Sequence, residues 1–150
     1  MATDTCVKFA GYIVTGNIFG NCECDGDDTW SNNTITLYHA TSSSAGDSIE
    51  RSGRMHPGTR GKFGGGIYFA RSESEARYKS NHGSGAIVKA RVRMGRIKRI
   101  NDPYSGYHNN ISYRGLKNKG YDSVIGQMRS GNEYVVYNPD QVKVVGVYRR

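Results

Sequence analysis

Apolar and polar residues alternate most cleanly over residues 86–94. Ala86, Val88, Ala90, Val92 and Met94 face one way, and Ile87, Lys89, Arg91 and Arg93 face the other, which predicts a strand with one core-facing side. Residues 34–39 alternate in the same manner, with Ile35, Leu37 and His39 on one face and Thr34, Thr36 and Tyr38 on the opposite one. Residues 7–14, 67–70, 121–125, 133–137 and 141–148 read as further strands. Helical signals are short. Residues 45–52 are closed by Gly53, a good residue for a left-handed helix end. Ser72-Glu73-Ser74-Glu75 fits a capping box that opens a helix running to about residue 80, with Tyr78 on its second turn. Residues 15–33, 54–66 and 101–112 read as loops. Strands dominate and no βαβ rhythm is visible, so the expected class is α+β with mainly antiparallel sheets.

Composition supports this picture. The 150 residues read as a single domain over 1–150, large enough to bury a core. A hydrophobic content of 36% with 20 glycines and 11 tyrosines suits a strand- and loop-rich domain better than a helical bundle. The net charge of +8 favours anionic partners such as a dinucleotide, a nucleic acid or an acidic protein surface. Three cysteines, two of them in Cys22-Glu23-Cys24, fit neither a disulfide framework nor a four-ligand zinc pattern. The acidic stretch through Asp28 reads as a surface loop rather than a metal site. Free thiols, no apolar run of membrane-span length and no signal-peptide pattern at the N-terminus lead to the expectation of an intracellular monomer, cytoplasmic or nuclear, without membrane contact.

Three strand-like runs each carry one residue that does not suit a plain core. They are His39 in Tyr38-His39-Ala40-Thr41, Tyr68 in Gly66-Ile67-Tyr68-Phe69-Ala70, and Glu133 in Asn132-Glu133-Tyr134-Val135-Val136-Tyr137. A buried polar group is costly without a partner. Each taken singly has an ordinary structural explanation; three from three strands point to one shared ligand. Glu133 can accept a hydrogen bond from a sugar hydroxyl and stabilise adjacent positive charge. His39 can donate to or accept from another hydroxyl. Tyr68 and Tyr78 offer ring faces for stacking, and Gly64, Gly65 and Gly66 let a ligand approach the backbone.

This ordered set resembles the catalytic domain of the poly(ADP-ribose) polymerases, the His-Tyr-Glu class of diphtheria-toxin-like ADP-ribosyltransferases. Gly120-Tyr121-Asp122-Ser123-Val124-Ile125-Gly126 also resembles the segment that precedes the Glu strand there, and the likeness spans about residues 34–148. The resemblance implies the ADP-ribosyltransferase fold, two mainly antiparallel sheets packed as a split sandwich with short helices. It implies NAD as co-substrate, transfer of ADP-ribose to a protein or nucleic-acid acceptor, and release of nicotinamide. His39 would bond the adenosine ribose, and the backbone of Ala40 would pair with the carboxamide. Thr41 and Ser74 would also contact the dinucleotide. Tyr68 would pack at the nicotinamide end and Tyr78 would stack on its ring. Glu133 would bond the nicotinamide ribose and stabilise the oxocarbenium-like transition state. The loop over 54–65 would cover the ligand.

Several positions depart from the pattern. Ala40 stands where the family usually has Gly. Counting back three from Tyr78, Glu75 stands where a Ser is usual, with Ser74 one residue off, and Tyr78 itself lies about one residue too close to Tyr68. The short segment 124–131 favours transfer of single units. Two other readings compete: a non-enzymatic module binding NAD, ADP-ribose or a protein, and a nucleic-acid-binding or nucleic-acid-modifying protein built on Lys89, Arg91, Arg93, Arg96, Lys98 and Arg99. The Arg/Ser-Thr-Ser/Glu-x-Glu class of toxin-like transferases does not fit, because its motifs would fall in the wrong order.

Overall fold

A computed structural model describes residues 4–5, 21–22, 33–80, 85–104 and 111–149. The chain divides into two compact units, Met1–Thr34 and Ile35–Arg150. In the first, strands β1 (Asp4–Thr5) and β2 (Asn21–Cys22) pair in parallel. The expected strand at 7–14 and the acidic stretch after Cys22 lie outside the described residues, as does most of the expected 15–33 loop.

The second unit is α+β, with two mostly antiparallel sheets and few short helices. One sheet has the order β3 (Thr34–Thr41), β5 (Ala86–Arg93), β9 (Val142–Arg149), with β5 and β9 antiparallel. The other has the order β4 (Ile67–Phe69), β8 (Gly131–Val136), β7 (Ser123–Met128), β6 (Ile97–Ile100). Their facing sides share one core: Leu37, Val88, Ala90 and Val92 from the first meet Ile67, Phe69, Ile125, Tyr134 and Val136 from the second. The alternation over β5 thus does what its pattern requires, since Val88, Ala90 and Val92 are fully buried while Arg91 and Arg93 are exposed. Behind the second sheet, Phe63, Ile100, Leu116, Val124, Val135 and Tyr137 form a separate cluster.

Helix α1 (Ser43–Ser52) starts at Ser42, whose side chain accepts from the Ala45 N–H, and ends at Gly53 with φ 70°, a conformation that glycine adopts without a Cβ clash. Helix α2 (Glu73–Lys79) starts at Ser72, which accepts from the Glu75 N–H. The reciprocal bond of a capping box shifts by one residue: the Glu75 carboxylate accepts from the N–H of Arg71.

One expectation, the absence of a βαβ rhythm, is corrected. The basic run at 96–99 contains β6, which pairs in parallel with β7. Helix α3 (Tyr113–Asn118) lies between β6 and β7, so the chain does hold one β-α-β crossover. Among the described residues, no helix is long and apolar enough to cross a membrane.

Candidate functional site

The site forms where the two sheets are stitched together. Tyr38 and Ala70 exchange both backbone hydrogen bonds, Tyr38 N–H to Ala70 O at 2.9 Å and Ala70 N–H to Tyr38 O at 2.8 Å. This bridge draws the end of β3 against the end of β4, and so sets His39 beside Tyr68. The His39 Nδ1 lies 2.7 Å from the Tyr68 carbonyl oxygen. A carbonyl only accepts, so Nδ1 carries the proton, and in the neutral ring Nε2 holds the lone pair. The Phe69 ring and the imidazole meet in a T-shaped arrangement, with ring centroids 6.0 Å apart.

Tyr68 is engaged at its hydroxyl. It accepts from the Phe63 N–H at 2.8 Å and donates to the Gly64 carbonyl at 2.7 Å. Burial pushes this phenol up to about 12, against the Phe63 N–H that favours its ionised form, and the Glu133 charge adds to the rise. It stays protonated at physiological pH, and its ring is what it offers to a ligand. A Cβ at Gly61, where φ is 136°, would collide with this hydroxyl, so glycine is required there on two counts. The loop is held at both ends. Met55 and Phe63 are buried, the Gly58 N–H donates to the Gly66 carbonyl at 2.9 Å, and the Tyr137 hydroxyl donates to the Phe63 carbonyl. Residues 56–61 between them are exposed. Far from being a free flap, it is a tied wall with an exposed crest.

Glu133 stands on β8, paired across the sheet with Gly126 on β7. Its carboxylate is 3.2 Å from the Lys79 ammonium, and both side chains are largely buried. Lys79 also donates to the backbone carbonyls of Gly131, at 3.1 Å, and Asn132, at 2.6 Å, which fastens the end of α2 to the start of β8. Burial pushes the Glu133 carboxyl above its ordinary value; the Lys79 ammonium pulls it back, and the Glu75 carboxylate raises it.

These residues line two openings that share His39 and Tyr68. The larger, about 800 Å³, runs along α1 and the loop, past Thr41, Ser48, Arg51, Arg54, His56 and Gly66. The smaller, about 250 Å³, is lined by Tyr38, Ala40, Phe69, Ala70, Ala76, Lys79, Ser80 and Glu133 as well as the shared pair. His39, Ala40, Tyr68 and Glu133 therefore come together at one cavity, with Thr41 in the adjoining one. Ser74 and Tyr78 do not join them. Ser74 is exposed with its hydroxyl 3.2 Å from that of Ser72, and Tyr78 is 78% exposed. The reason is helical phase. One residue advances an α-helix by about 100°, so the short spacing noted above turns Tyr78 outward. It puts Lys79 where the stacking ring was expected, and Ala76, three residues earlier, where the serine was expected. Tyr38, Lys79 and Ser80 were not singled out in the sequence. The spacing mismatch was the one signal that could have found Lys79.

Neither a family model nor a curated protein sequence matches this chain. Among the described residues, no group of His, Cys, Asp and Glu side chains is arranged to hold a metal ion. The arrangement can hold an extended ligand bent at His39 and Tyr68, with a carboxylate at the narrow end.

Proposed function

We propose that this cleft binds NAD and that the chain is an ADP-ribosyltransferase of the His-Tyr-Glu class, with the corresponding split-sandwich fold. It transfers single ADP-ribose units to an acceptor and releases nicotinamide. The observation that carries this reading is the convergence of His39, Tyr68 and Glu133, from β3, β4 and β8, on two adjoining cavities. The adenosine half occupies the larger cavity and the nicotinamide half the smaller. His39 bonds the adenosine ribose, the Ala40 backbone pairs with the carboxamide, and Tyr68 packs at the nicotinamide end. Glu133 accepts the ribose 2′-hydroxyl and offsets the positive charge that develops at C1′. The C1′–N bond breaks with its electron pair leaving on nicotinamide, and a lone pair of the acceptor forms the new bond to C1′ as the acceptor releases its proton. The tight β7–β8 turn, with Met128 paired to Gly131 across Arg129 and Ser130, is consistent with single-unit transfer.

A second reading is favoured by Lys79. Its ammonium neutralises Glu133 and, with Ala76, replaces the expected tyrosine and serine. Such a site suits a module that binds NAD or ADP-ribose without turnover. Incubation with NAD labelled in the adenylate separates the two. Free nicotinamide together with label on an acceptor supports transfer. Tight binding with no nicotinamide release supports the module, and failure to bind either ligand removes both.

His39→Ala is expected to weaken NAD several-fold or more while leaving a benzamide nearly unaffected, since a benzamide occupies only the nicotinamide end. Losing a buried hydrogen-bond partner costs about 1–3 kcal/mol. The bond from His39 to the Tyr68 carbonyl gives the residue a folding role too, so the comparison of ligands is made on a variant whose melting curve remains cooperative. Equal weakening of both ligands would refute the assignment. Tyr78→Ala is expected to leave benzamide affinity unchanged, as follows from its exposure. A clear loss in calorimetric titration would mean that the ring turns in to meet the ligand.

A further inference from the structure

The β6 edge of the second sheet carries a line of cations with tyrosines set among them. At one end the Tyr121 ring lies between Arg96, 5.6 Å from its centroid, and Lys98, at 5.3 Å. At the other end the Tyr104 ring lies 4.1 Å from the Arg129 guanidinium and 6.0 Å from the Lys62 ammonium. The Tyr104 hydroxyl also accepts from the Arg129 N–H, so ring and guanidinium are fixed to one another, and the ring is 45% exposed. Exposed Arg99 adds a charge on the opposite face of the strand from Lys98. Asp122 and Asp102 stand among these residues in the chain. Asp122 is occupied by the Arg96 N–H and the Lys117 ammonium, and Asp102 is exposed. Among the described residues, β6 has a strand neighbour on one side only, β7.

We infer that this edge is a binding surface for single-stranded nucleic acid. Cations spaced along a strand meet successive phosphates, while exposed aromatic and guanidinium planes accept bases by stacking without reading their sequence. An acidic peptide would use the cations but not the Tyr104 ring. The inference is independent of the ligand proposed for the His39–Glu133 cleft.

The test is fluorescence anisotropy with a short labelled oligothymidylate across about 50 to 200 mM salt. Binding should weaken steeply with salt. The double variant Lys98→Gln, Arg129→Gln should lose about tenfold in affinity and lower the salt slope by about 1 for each phosphate contact removed. Tyr104→Ala should weaken the oligonucleotide but not polyglutamate. The charge-matched double variant Arg91→Gln, Lys143→Gln, on the paired exposed positions of β5 and β9, should change little. Equal losses in both double variants would show that net charge alone is read, and would overturn the site. So would no oligonucleotide binding at the lowest salt, or polyglutamate binding as tightly as the oligonucleotide.

Discussion

Glu133→Gln will lower nicotinamide release by at least about two orders of magnitude while NAD binding stays within a few-fold of the parent. The amide keeps the shape of the carboxylate, and its oxygen can still accept from the Lys79 ammonium that now lies 3.2 Å from it, so the wall of the cavity is preserved. On the proposed reading, what is lost is the negative charge beside C1′, and removal of one preorganised electrostatic group typically costs about 3 kcal/mol of transition-state stabilisation. The pH dependence has a defined sign. In the proposed reaction the ionised carboxylate is the working form, so activity is expected to fall as pH drops through the Glu133 pKa. Burial holds that pKa above the usual glutamate value despite Lys79, so the acid limb should lie at higher pH than an exposed glutamate would give. Steady-state nicotinamide release across pH, on parent and variant, checks both points. An unchanged rate in the variant ends the catalytic role of Glu133.

Phe63→Ala carries the largest expected loss of stability. The ring is fully buried in the cluster behind the second sheet and lies over Gly126, where a Cβ would collide with it. Truncating a buried phenylalanine to alanine costs about 3–5 kcal/mol through lost burial and the cavity left behind. In a domain of this size that lowers the melting temperature by roughly 6–20 °C. Tyr68→Phe serves as the comparison. It removes a hydroxyl bonded to the Phe63 N–H and the Gly64 carbonyl but leaves the ring in place, and should cost about 1–3 kcal/mol. Denaturant titration of both variants ranks the two contributions; a larger loss in Tyr68→Phe would mean that the loop is held by its hydrogen bonds rather than by the Phe63 ring.

The features readable in the sequence were those with local signatures. Strict alternation marked β3 and β5, and a terminal glycine marked the end of α1. The convergence of His39, Tyr68 and Glu133 was expected because polar residues on strand-like runs need a common reason. β6 was missed because Arg96-Ile97-Lys98-Arg99 puts charge on both sides of the chain; an edge strand tolerates this, and a periodicity argument assigns it no element. Helix α3, six residues with Gly115 inside it, is too short to show a helical period. Without β6 and α3 the parallel crossover was invisible. Tyr78 was assigned on the resemblance, and its spacing, one residue short, leaves the ring exposed. The Lys79–Glu133 pair joins residues far apart in the chain, and nothing in either neighbourhood announces the other.

The order in which strands are used has a consequence for how the protein is made. Among the described residues, β4 pairs with β8, and β5 pairs antiparallel with β9. On a ribosome, therefore, neither sheet is complete until β8 and β9 have emerged, and the strand bearing Glu133 is the one that inserts between β4 and β7. Contacts this distant in sequence are slow to form, and until they do the open edges of β4 and β7 are exposed to pairing with other chains. The cleft is completed in the same event that closes the second sheet, so ligand binding should report on folding of this unit as a whole.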